Sequence, residues 1–311
     1  MLYICTNFKG LVYRNVISLK RFFIIGFCVV GQFAFGQRHE IGAWLGASNL
    51  VGDIGRTNYI MQKPIIDKIS EHGLPFYAGI MYRMNFNPYQ TVRFDVGYSH
   101  IQFDDRYAKE QYRINRGLWG TNSVYHADAV FEYNFLPVND EQKSMLSPYI
   151  FGGIGAAVVG VSKVTYNHVF KRDGSGAPVL PTADNDFTTT QTNSSSNKLV
   201  MSIPFGVGLK YKFNYNWALS GEFRFRPTLS DAVDYSVIED KDVKQVFNTE
   251  ILQEGTNKSY LNQEPYRTVA NDRVNEYLQS RNVGNMKSKD WVNTVSIGLS
   301  YSFGRMPCYC D

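Results

Sequence analysis

Residue types that could form a hydrolase site lie close together at two points in the sequence. Ser99 and His100 are adjacent, and His126, Asp128 and Glu132 follow within one later stretch. A serine hydrolase needs a base within hydrogen-bonding reach of its nucleophile and an acid that orients this base. The alternation pattern directs His100 outward and His126 inward, and the chain contains no G-x-S-x-G motif. We therefore interpret these residues as structural polar groups, with a lipid-modifying enzyme as an alternative.

Neither a metal site nor a cofactor site is indicated by the spacing of the possible ligands. The five histidines are scattered along the chain, with no pair at ligand spacing on one element. The acidic stretches ADND and EDKD lack the pattern of a calcium-binding loop. The glycines of FGGIGAAVVG lie within an apolar strand and are better explained by packing than by dinucleotide binding. We expect a non-enzymatic protein without cofactor or metal.

Two cysteines, Cys308 and Cys310, stand in the C-terminal stretch GRMPCYCD. They are too close together to form a disulfide with each other without strain. Leftover thiols of an exported protein can pair with a cysteine of another chain. Exposed thiols without a role are the other interpretation, and the sequence leaves both open.

The N-terminal residues 1–36 are typical of a secretory signal peptide. A basic stretch that ends at Lys20-Arg21 precedes the apolar run FFIIGFCVVGQFAFG, and small residues indicate cleavage before Gln37. A membrane anchor is the alternative, although the run is shorter than the ~20 residues of a spanning helix. The chain carries 32 Lys and Arg against 28 Asp and Glu. This excess lies before residue 22, so the mature chain is neutral and a nucleic-acid partner is not expected.

Alternation of apolar and polar residues predicts an all-β fold. In LVMSIPFGVGLKYKF, WALSGEFRFR and WVNTVSIGLSYSF, nearly every second residue is apolar or aromatic, which is the period of a strand with two different faces. The predicted strands are long enough for the ~9–11 residues with which a tilted strand crosses a bilayer. They cover residues 38–48, 75–85, 90–103, 121–135, 147–161, 198–213, 217–230 and 291–303.

The connections between these strands alternate between short and long. Residues 86–88 and 214–216 are tight turns, and a modest stretch joins the fourth strand to the fifth. An up-and-down outer-membrane barrel shows this alternation, with short periplasmic turns and long extracellular loops. We therefore predict an eight-stranded antiparallel up-and-down transmembrane β-barrel over residues 37–304, in the outer membrane, followed by a periplasmic tail over 305–311. The long connections are about 49–74, 104–120, 162–197 and 231–290.

The long connections carry signals of their own. TTTQTNSSSN is of low complexity and predicts a mobile loop tip. YRTVANDRVNEYLQS places Val269, Val274, Tyr277 and Leu278 at helical spacing, and PIIDKISEH predicts a short helix.

The two predicted faces of the barrel differ in their side chains. Outward aromatic residues are expected to form girdles at the membrane interfaces. Eight strands enclose space for little more than side chains, so inward charges should pair and fill the interior, and a diffusion pore is not expected. The girdle residues are Tyr98, Tyr133, Phe135, Tyr149, Phe151, Tyr211, Phe213, Trp217, Trp291, Tyr301 and Phe303, and the inward charges are Glu40, Arg83, Arg93, Asp95, Asp128, Glu132, Lys210, Glu222, Arg224 and Arg226.

Three stretches resemble the PorG-type outer-membrane proteins of the type IX secretion system. EIGAWLGASNLVGDIG is similar to that family's first strand and Gly-Asp turn, and FRFRPTLSDAVDYSV is similar to its seventh strand with the aspartate run. GNMKSKDWVNTVSIGLSYSFGRMPCYCD is similar to its end, with Asp-Trp, Phe-Gly-Arg and Pro-Cys. The resemblance implies a barrel that docks on a periplasmic ring, built from a lipoprotein and its partner protein, and that serves protein secretion and gliding.

The resemblance also implies roles for individual residues. Arg305, Pro307 and Cys308 match the family's ending and are expected to contact the ring, whereas Cys310 is an addition. We further hypothesise that the aromatic end of the last strand, Tyr301-x-Phe303, is read by the barrel-insertion machinery. The expected partners are thus ring proteins and outer-membrane lipids. A generic surface barrel that acts through its loops, as an adhesin or structural protein, is the alternative.

Overall fold

The computed structural model describes residues 38–56, 64–139, 144–171, 173–174, 179, 187–247, 266–285 and 288–304. The predicted signal peptide lies outside these residues, as do Arg305, Pro307, Cys308 and Cys310 of the predicted tail, and the expectations for both stay predictions. Among the described residues, no helix is both long and apolar enough to cross a membrane.

Strands make up most of the described chain. They are β1 (Arg38–Val51), β2 (Tyr77–Asn85), β3 (Gln90–Asp104), β4 (Trp119–Asn134), β5 (Met145–Phe170), β6 (Phe187–Ser202), β7 (Phe205–Lys212), β8 (Trp217–Phe225), β9 (Val243–Phe247) and β10 (Trp291–Phe303). The described α-helices are α1 (Ile69–His72), α2 (Gln111–Arg116) and α3 (Tyr266–Arg281), and single 3₁₀ turns span Asp105–Tyr107 and Asp240–Asp242.

Eight strands form a closed antiparallel ring in chain order. The sequence β1-β2-β3-β4-β5-β7-β8-β10 pairs neighbour to neighbour. The ring closes where β10 pairs with β1, from His39↔Phe303 to Val51↔Trp291. All short connections lie at the end of the ring where β1 begins, and all long ones lie at the other end. The predicted eight-stranded up-and-down barrel is confirmed, and we refer to its two ends as periplasmic and extracellular.

Two of the predicted strand boundaries are wrong for the same reason. The stretch 198–213 is divided at Pro204 into the end of β6 and the start of β7, because proline has no N–H to donate to a neighbouring strand. The stretch 217–230 ends as a regular strand at Phe225, and Pro227 forms only an isolated bridge with Trp291. Strand β9 was not predicted.

The hairpin of β5 and β6 rises beyond the ring at the extracellular end. The two strands stay paired from Gly155↔Ser202 to Phe170↔Phe187. Strand β9 adds a short parallel partner along β5, and α3 packs its apolar face on the hairpin through two small clusters. We call the hairpin from Gly160 to Asn197, together with β9 and α3, the head.

Two sequence predictions concern the head: a loop tip at 188–197, which is wrong, and a helix in the last long connection, which is confirmed. The low-complexity stretch 188–197 belongs to β6 and is not a loop tip, because its backbone pairs with β5 along its whole length. Its side chains are mostly exposed on both faces, so the sequence shows no alternation. The predicted helix in the last long connection is confirmed as α3, with Val274 buried and Tyr277 stacked on Tyr166 at 5.7 Å. The short helix predicted in the first connection is confirmed as the single turn α1.

The outer face of the ring, together with the adjoining end of β6, is a belt of exposed apolar side chains. Leu45, Ile154 and Leu199 expose 69, 66 and 70% of their surface. Water-soluble proteins rarely expose contiguous apolar surface on this scale, whereas the wall of a barrel in a bilayer requires it. Other members of the belt are Ile41, Ile80, Phe94, Val96, Ile150, Met201, Val207, Leu209, Leu219, Ile297 and Leu299.

The aromatic girdle is confirmed at the periplasmic end with two exceptions. Tyr149 and Phe151 face the interior and are buried, contrary to the prediction. Strand β5 is apolar on both faces, so its alternation does not show which face is inward. The predicted girdle residues that are exposed on the outer face at the periplasmic end are Tyr133, Phe135, Tyr211, Phe213, Trp217, Tyr301 and Phe303.

Glycines on the strands make room for the large interior side chains. Gly208 stands opposite Tyr149, and a Cβ atom on Gly208 would lie 2.3 Å from the Tyr149 ring. A Cβ atom on Gly221, in the neighbouring strand, would meet nothing within 4 Å. The two positions therefore form a matched pair. Alanine at position 208 tests the packing against Tyr149, and alanine at position 221 tests the effect of replacing a strand glycine where there is room.

We expect Gly208→Ala to destabilise the barrel by about 1–3 kcal/mol, because the added methyl group overpacks the interior. Gly221→Ala should leave the free energy of unfolding nearly unchanged. Denaturant unfolding of refolded protein in detergent, followed by tryptophan fluorescence, measures both. Equal unfolding midpoints for the two variants would contradict this account of the glycine.

Candidate functional site

The interior of the ring is filled by ten charged side chains, and all ten were predicted to face inward. Five are cations, five are carboxylates, and none exposes more than 4% of its surface. A water-filled channel would leave such side chains accessible, so the ring is closed at their level. The cations are Arg83, Arg93, Lys210, Arg224 and Arg226, and the carboxylates are Glu40, Asp95, Asp128, Glu132 and Glu222.

Ion pairs join these charges into a continuous network that begins at the periplasmic end. Lys210 Nζ lies 2.6 Å from Glu40 Oε1. Arg83 connects Glu40, at 3.6 Å, with Glu132, at 3.1 Å. Glu132 also contacts Arg93. Each buried charge thus has an opposite charge beside it, which offsets the cost of removing it from water.

Two arginines hold the centre of the network. Arg93 Nε lies 2.8 Å from Asp95 Oδ2, and Arg93 Nη1 lies 2.6 Å from Glu222 Oε2. Arg224 Nη2 lies 3.0 Å from the same Asp95 oxygen and 2.7 Å from Glu222 Oε1. Arg224 Nη1 reaches Asp128 at 3.2 Å. Because the two arginines share Asp95 and Glu222, loss of either arginine would leave the interior with one negative charge in excess.

Neutral side chains also join the network, two of them from β5 and β10, the strands that contribute no charge to it. Trp44 on β1 donates from Nε1 to Asp95 at 3.1 Å, and the Arg93 guanidinium lies 5.4 Å from the Trp44 ring. Tyr149 on β5 donates to Glu222 at 3.0 Å. Ser300 on β10 donates to Glu40 at 3.2 Å. All eight strands of the ring therefore contribute a side chain to one network.

An apolar layer lies above the charges, toward the extracellular end. The segment 226–236 after β8 turns into the mouth of the ring, where Ala232 and Val233 pack in a cluster of buried side chains from the surrounding strands. Arg226, at the base of this segment, binds Asp128 at 2.5 Å and ties it to the network. In the described residues, charges below and apolar side chains above together fill the interior.

Four aspartates from distant parts of the sequence meet at the extracellular rim. Asp234 Oδ2 accepts a hydrogen bond from the backbone N–H of Asp53 at 2.6 Å. Asp290 Oδ2 accepts one from the N–H of Val233 at 2.8 Å. We call Asp53, Asp231, Asp234 and Asp290 the acidic rim cluster. Its members belong to the Gly-Asp, aspartate-run and Asp-Trp stretches that carry the resemblance described above, so these stretches form one structural unit.

Sequence reasoning missed the acidic rim cluster. Its aspartates follow β1, follow β8 and precede β10, and only the closure of the ring makes these three strand ends neighbours. The available signal was the position of each aspartate just beyond a predicted strand at the same end of the barrel. Beside Asp234, Tyr235 has a φ of 61°, a left-handed conformation that non-glycine residues adopt where surrounding contacts hold them.

The residues considered for hydrolase chemistry do not assemble into a triad. His126 is buried, and neither of its ring nitrogens has a hydrogen-bond partner among the described residues. The same is true of the hydroxyl of Ser99. His100 Nε2 contacts a backbone carbonyl oxygen at 2.8 Å. Asp128 and Glu132 are engaged by arginines of the interior network.

The predicted insertion-signal residues lie at the periplasmic end of β10. The Tyr301 ring is 5.1 Å from the Trp217 ring, and the Phe303 ring is 5.8 Å from the ring of His39. Both side chains are exposed on the outer face, which is the position of a girdle residue. Their role in barrel insertion stays a prediction.

The closed ring, its apolar outer belt and its paired interior charges define the class of protein. Only helices and closed barrels satisfy the backbone in a bilayer, and barrels of this type belong to outer membranes. The protein is therefore an outer-membrane β-barrel. Within that class, the chain belongs to the family described as a domain of unknown function, DUF6089, which matches residues 20–177 and 268–311.

Several solved structures are similar to this chain at low identity. They include Ail, the attachment invasion locus protein of Yersinia pestis, with 12% identity, 86% of this chain and 100% of that chain covered, and a TM-score of 0.37. Neisserial surface protein A has 12% identity, coverage of 86% and 97%, and a TM-score of 0.35. The N-terminal barrel domain of OprF from Pseudomonas aeruginosa has 9% identity, coverage of 86% and 98%, and a TM-score of 0.33. No curated protein matches the chain.

We expect Arg93→Met to destabilise the barrel by about 3–5 kcal/mol, because it leaves the network's five buried carboxylates with only four buried cations. Lys241→Met is the control, since Lys241 pairs with Glu239 at 2.8 Å on an exposed surface, where water screens such a pair and its loss has little effect. Denaturant unfolding in detergent measures the difference. A cost for Arg93→Met no larger than that for Lys241→Met would contradict the central role of the network.

Proposed function

We propose that the protein is a non-enzymatic anchor in the outer membrane and a component of the type IX protein secretion and gliding machinery. The observation that carries the anchor role is the filled interior of the ring, in which ten charges are paired and inaccessible. A barrel of this kind does not pass solutes, and its two ends are the surfaces left for partners. The assignment to type IX secretion rests on the resemblance of three sequence stretches to PorG-type proteins.

The proposed partner on the periplasmic side is a ring that contains a lipoprotein. Strand β10 ends at Phe303, at the same end of the barrel as the short turns. We therefore expect the residues after Gly304 to lie on the periplasmic side. We propose that Arg305, Pro307 and Cys308 contact the ring and that Cys308 or Cys310 forms a disulfide with a ring protein.

A second candidate function is a surface barrel that binds through its extracellular end. The observation that favours it is the head, in which a hairpin, β9 and α3 form an ordered unit beyond the wall. Such a unit can present a binding surface as an adhesin does. The two proposed functions require contacts at opposite ends of the barrel. Truncation of one end at a time can therefore distinguish between them.

The first test is co-purification from gently solubilised outer membranes. An epitope-tagged chain should retain a periplasmic lipoprotein and its ring partner. Without reductant, the chain should run as a mixed disulfide with a ring protein, and the Cys308→Ser/Cys310→Ser variant should not. Recovery of the ring with both the wild-type chain and the Cys308→Ser/Cys310→Ser variant would support the anchor role and contradict a required disulfide. Recovery of no ring protein with either would contradict the secretion role.

The second test compares truncations at the two ends. Removal of residues 305–311 should abolish secretion of type IX cargo, because it removes the proposed ring contact. Replacement of residues 162–197 by a short turn should leave secretion intact. Heat-modifiable migration in gels confirms that each variant forms the barrel. Secretion that survives loss of the tail but fails with loss of the head would instead favour the head as the functional surface.

A further inference from the structure

The sheet of the head has one edge without a partner strand. Strand β5 is paired on both sides in the head, with β6 along one edge and with the short β9 along the other. From Thr188 to Asn197, the edge of β6 that faces away from β5 has no strand partner in the described chain. Cover begins only further down the strand, where Leu229 donates its N–H to the carbonyl oxygen of Met201 at 2.9 Å. About half of the backbone N–H and C=O groups from 188 to 197 therefore point into solvent.

This edge lacks the features with which proteins protect a free strand. Such edges are usually short, or carry a charged side chain, a proline or a bulge that prevents pairing with another chain. Residues 188–197 contain no charged residue, no proline and no glycine, and their pairing with β5 is continuous. Thr190, Thr192 and Ser194 are exposed, so these side chains leave the backbone accessible. The edge can therefore accept a further strand, which is a common mode of protein recognition.

The sequence of this edge is complementary to itself. When two copies pair antiparallel about a two-fold axis, facing side chains lie on the same side of the sheet, so the axis must pass through a residue and not between two. With the axis at Thr192, threonines face serines and Gln191 faces Asn193. An axis at Gln191 or Asn193 gives fewer such matches. Threonine–serine pairs across strands form hydrogen bonds that stabilise a sheet. The facing pairs are 188 with 196, 189 with 195 and 190 with 194.

We propose that the edge of β6 from Thr188 to Ser196 is a homotypic binding site, at which the heads of two copies of this chain pair antiparallel about Thr192. The stretch carries no charge, so two identical edges approach each other without the repulsion of like charges. The proposal extends the second candidate function by naming its partner, a second copy of the chain. It does not depend on the secretion role.

The antiparallel pairing determines how the two barrels are oriented. Thr192 lies seven residues beyond Leu199 of the apolar belt, about 23 Å along the strand, so the edge is outside the bilayer. A two-fold axis normal to the sheet reverses the strand and the barrel axis together. The two copies therefore belong to membranes that face each other. Within one membrane, a two-fold axis along the strands would place each N–H opposite an N–H, and no ladder could form.

Cysteine cross-linking tests the register of the two strands. The four native cysteines are replaced by serine in the full chain, and each copy is placed in its own lipid nanodisc, which leaves the head accessible. With a short bis-maleimide, we expect Thr192→Cys to give a covalent dimer of two discs. Thr190→Cys and Ser194→Cys should each give little dimer alone but should react when mixed, because positions 190 and 194 face each other. Gln279→Cys, exposed on α3, is the control for random collision.

An exchange of charges tests whether the edge pairs with itself. Thr192→Lys places two lysines opposite each other, so the fraction of discs paired through their heads should fall roughly tenfold. Thr192→Glu should have the same effect. An equal mixture of the two variants should pair again, because lysine then faces glutamate. Gln279→Lys adds the same charge away from the edge and should pair as the wild type does. Heat-modifiable migration in gels confirms that each variant forms the barrel.

Two results would overturn the proposal. Cross-linking of Thr192→Cys that is no faster than that of Gln279→Cys would show that the heads do not meet at this edge. A mixture of Thr192→Lys and Thr192→Glu that stays unpaired would show that the edge does not bind itself, and would leave an extended segment of a different protein as its partner. Neither measurement involves ring binding or secretion, so failure here is distinct from failure of the anchor role.

Discussion

The balance of five buried cations against five buried carboxylates is the constraint on which the rest of the barrel depends. Side chains alternate along a strand, so a shift of one residue in any pairing would turn that strand's charges toward lipid. An arginine or lysine at the bilayer midplane costs about 2–4 kcal/mol. It would also leave its carboxylate partners unpaired in the interior. The network of Arg93 and Arg224 thus holds the register in which Trp44 faces Gly298 and Tyr149 faces Gly208.

Much of this architecture could be predicted from the sequence, because charged and apolar residues occupy alternate positions along the strands. In β8, the charged residues Glu222 and Arg224 alternate with the apolar residues Phe223 and Phe225. The inward face of this strand can therefore be read from the sequence. Where both faces of a strand carry the same kind of side chain, the sequence does not show which residues face the interior. Tyr149 and Phe151 were misassigned for this reason. The threonines and serines of β6 gave no strand signal, because that part of the strand is exposed on both sides.

The extracellular rim could not be predicted, because it exists only after the ring has closed. Asp53 and Asp290 are far apart in the sequence, yet Asp53 lies two residues after β1, Asp290 lies one residue before β10, and these two strands are neighbours. The same closure brings the segment after β8 into the mouth, where Ala232 and Val233 seal the interior and the flanking Asp231 and Asp234 face the rim. One short segment thus contributes both to the apolar plug and to the acidic cluster.

Strand β5 belongs to the wall and to the head at once, and this continuity has a mechanical consequence. A strand rises about 3.3 Å per residue, so the 26 residues of β5 extend roughly 85 Å, far more than the ~9–11 residues of one crossing require. The head is therefore a rigid extension of the wall with no hinge at the membrane surface. A force applied to it is carried by the β5 backbone and its hydrogen bonds with β4 and β7. Tension at the cell surface would tilt the whole barrel and reach its periplasmic end as torque.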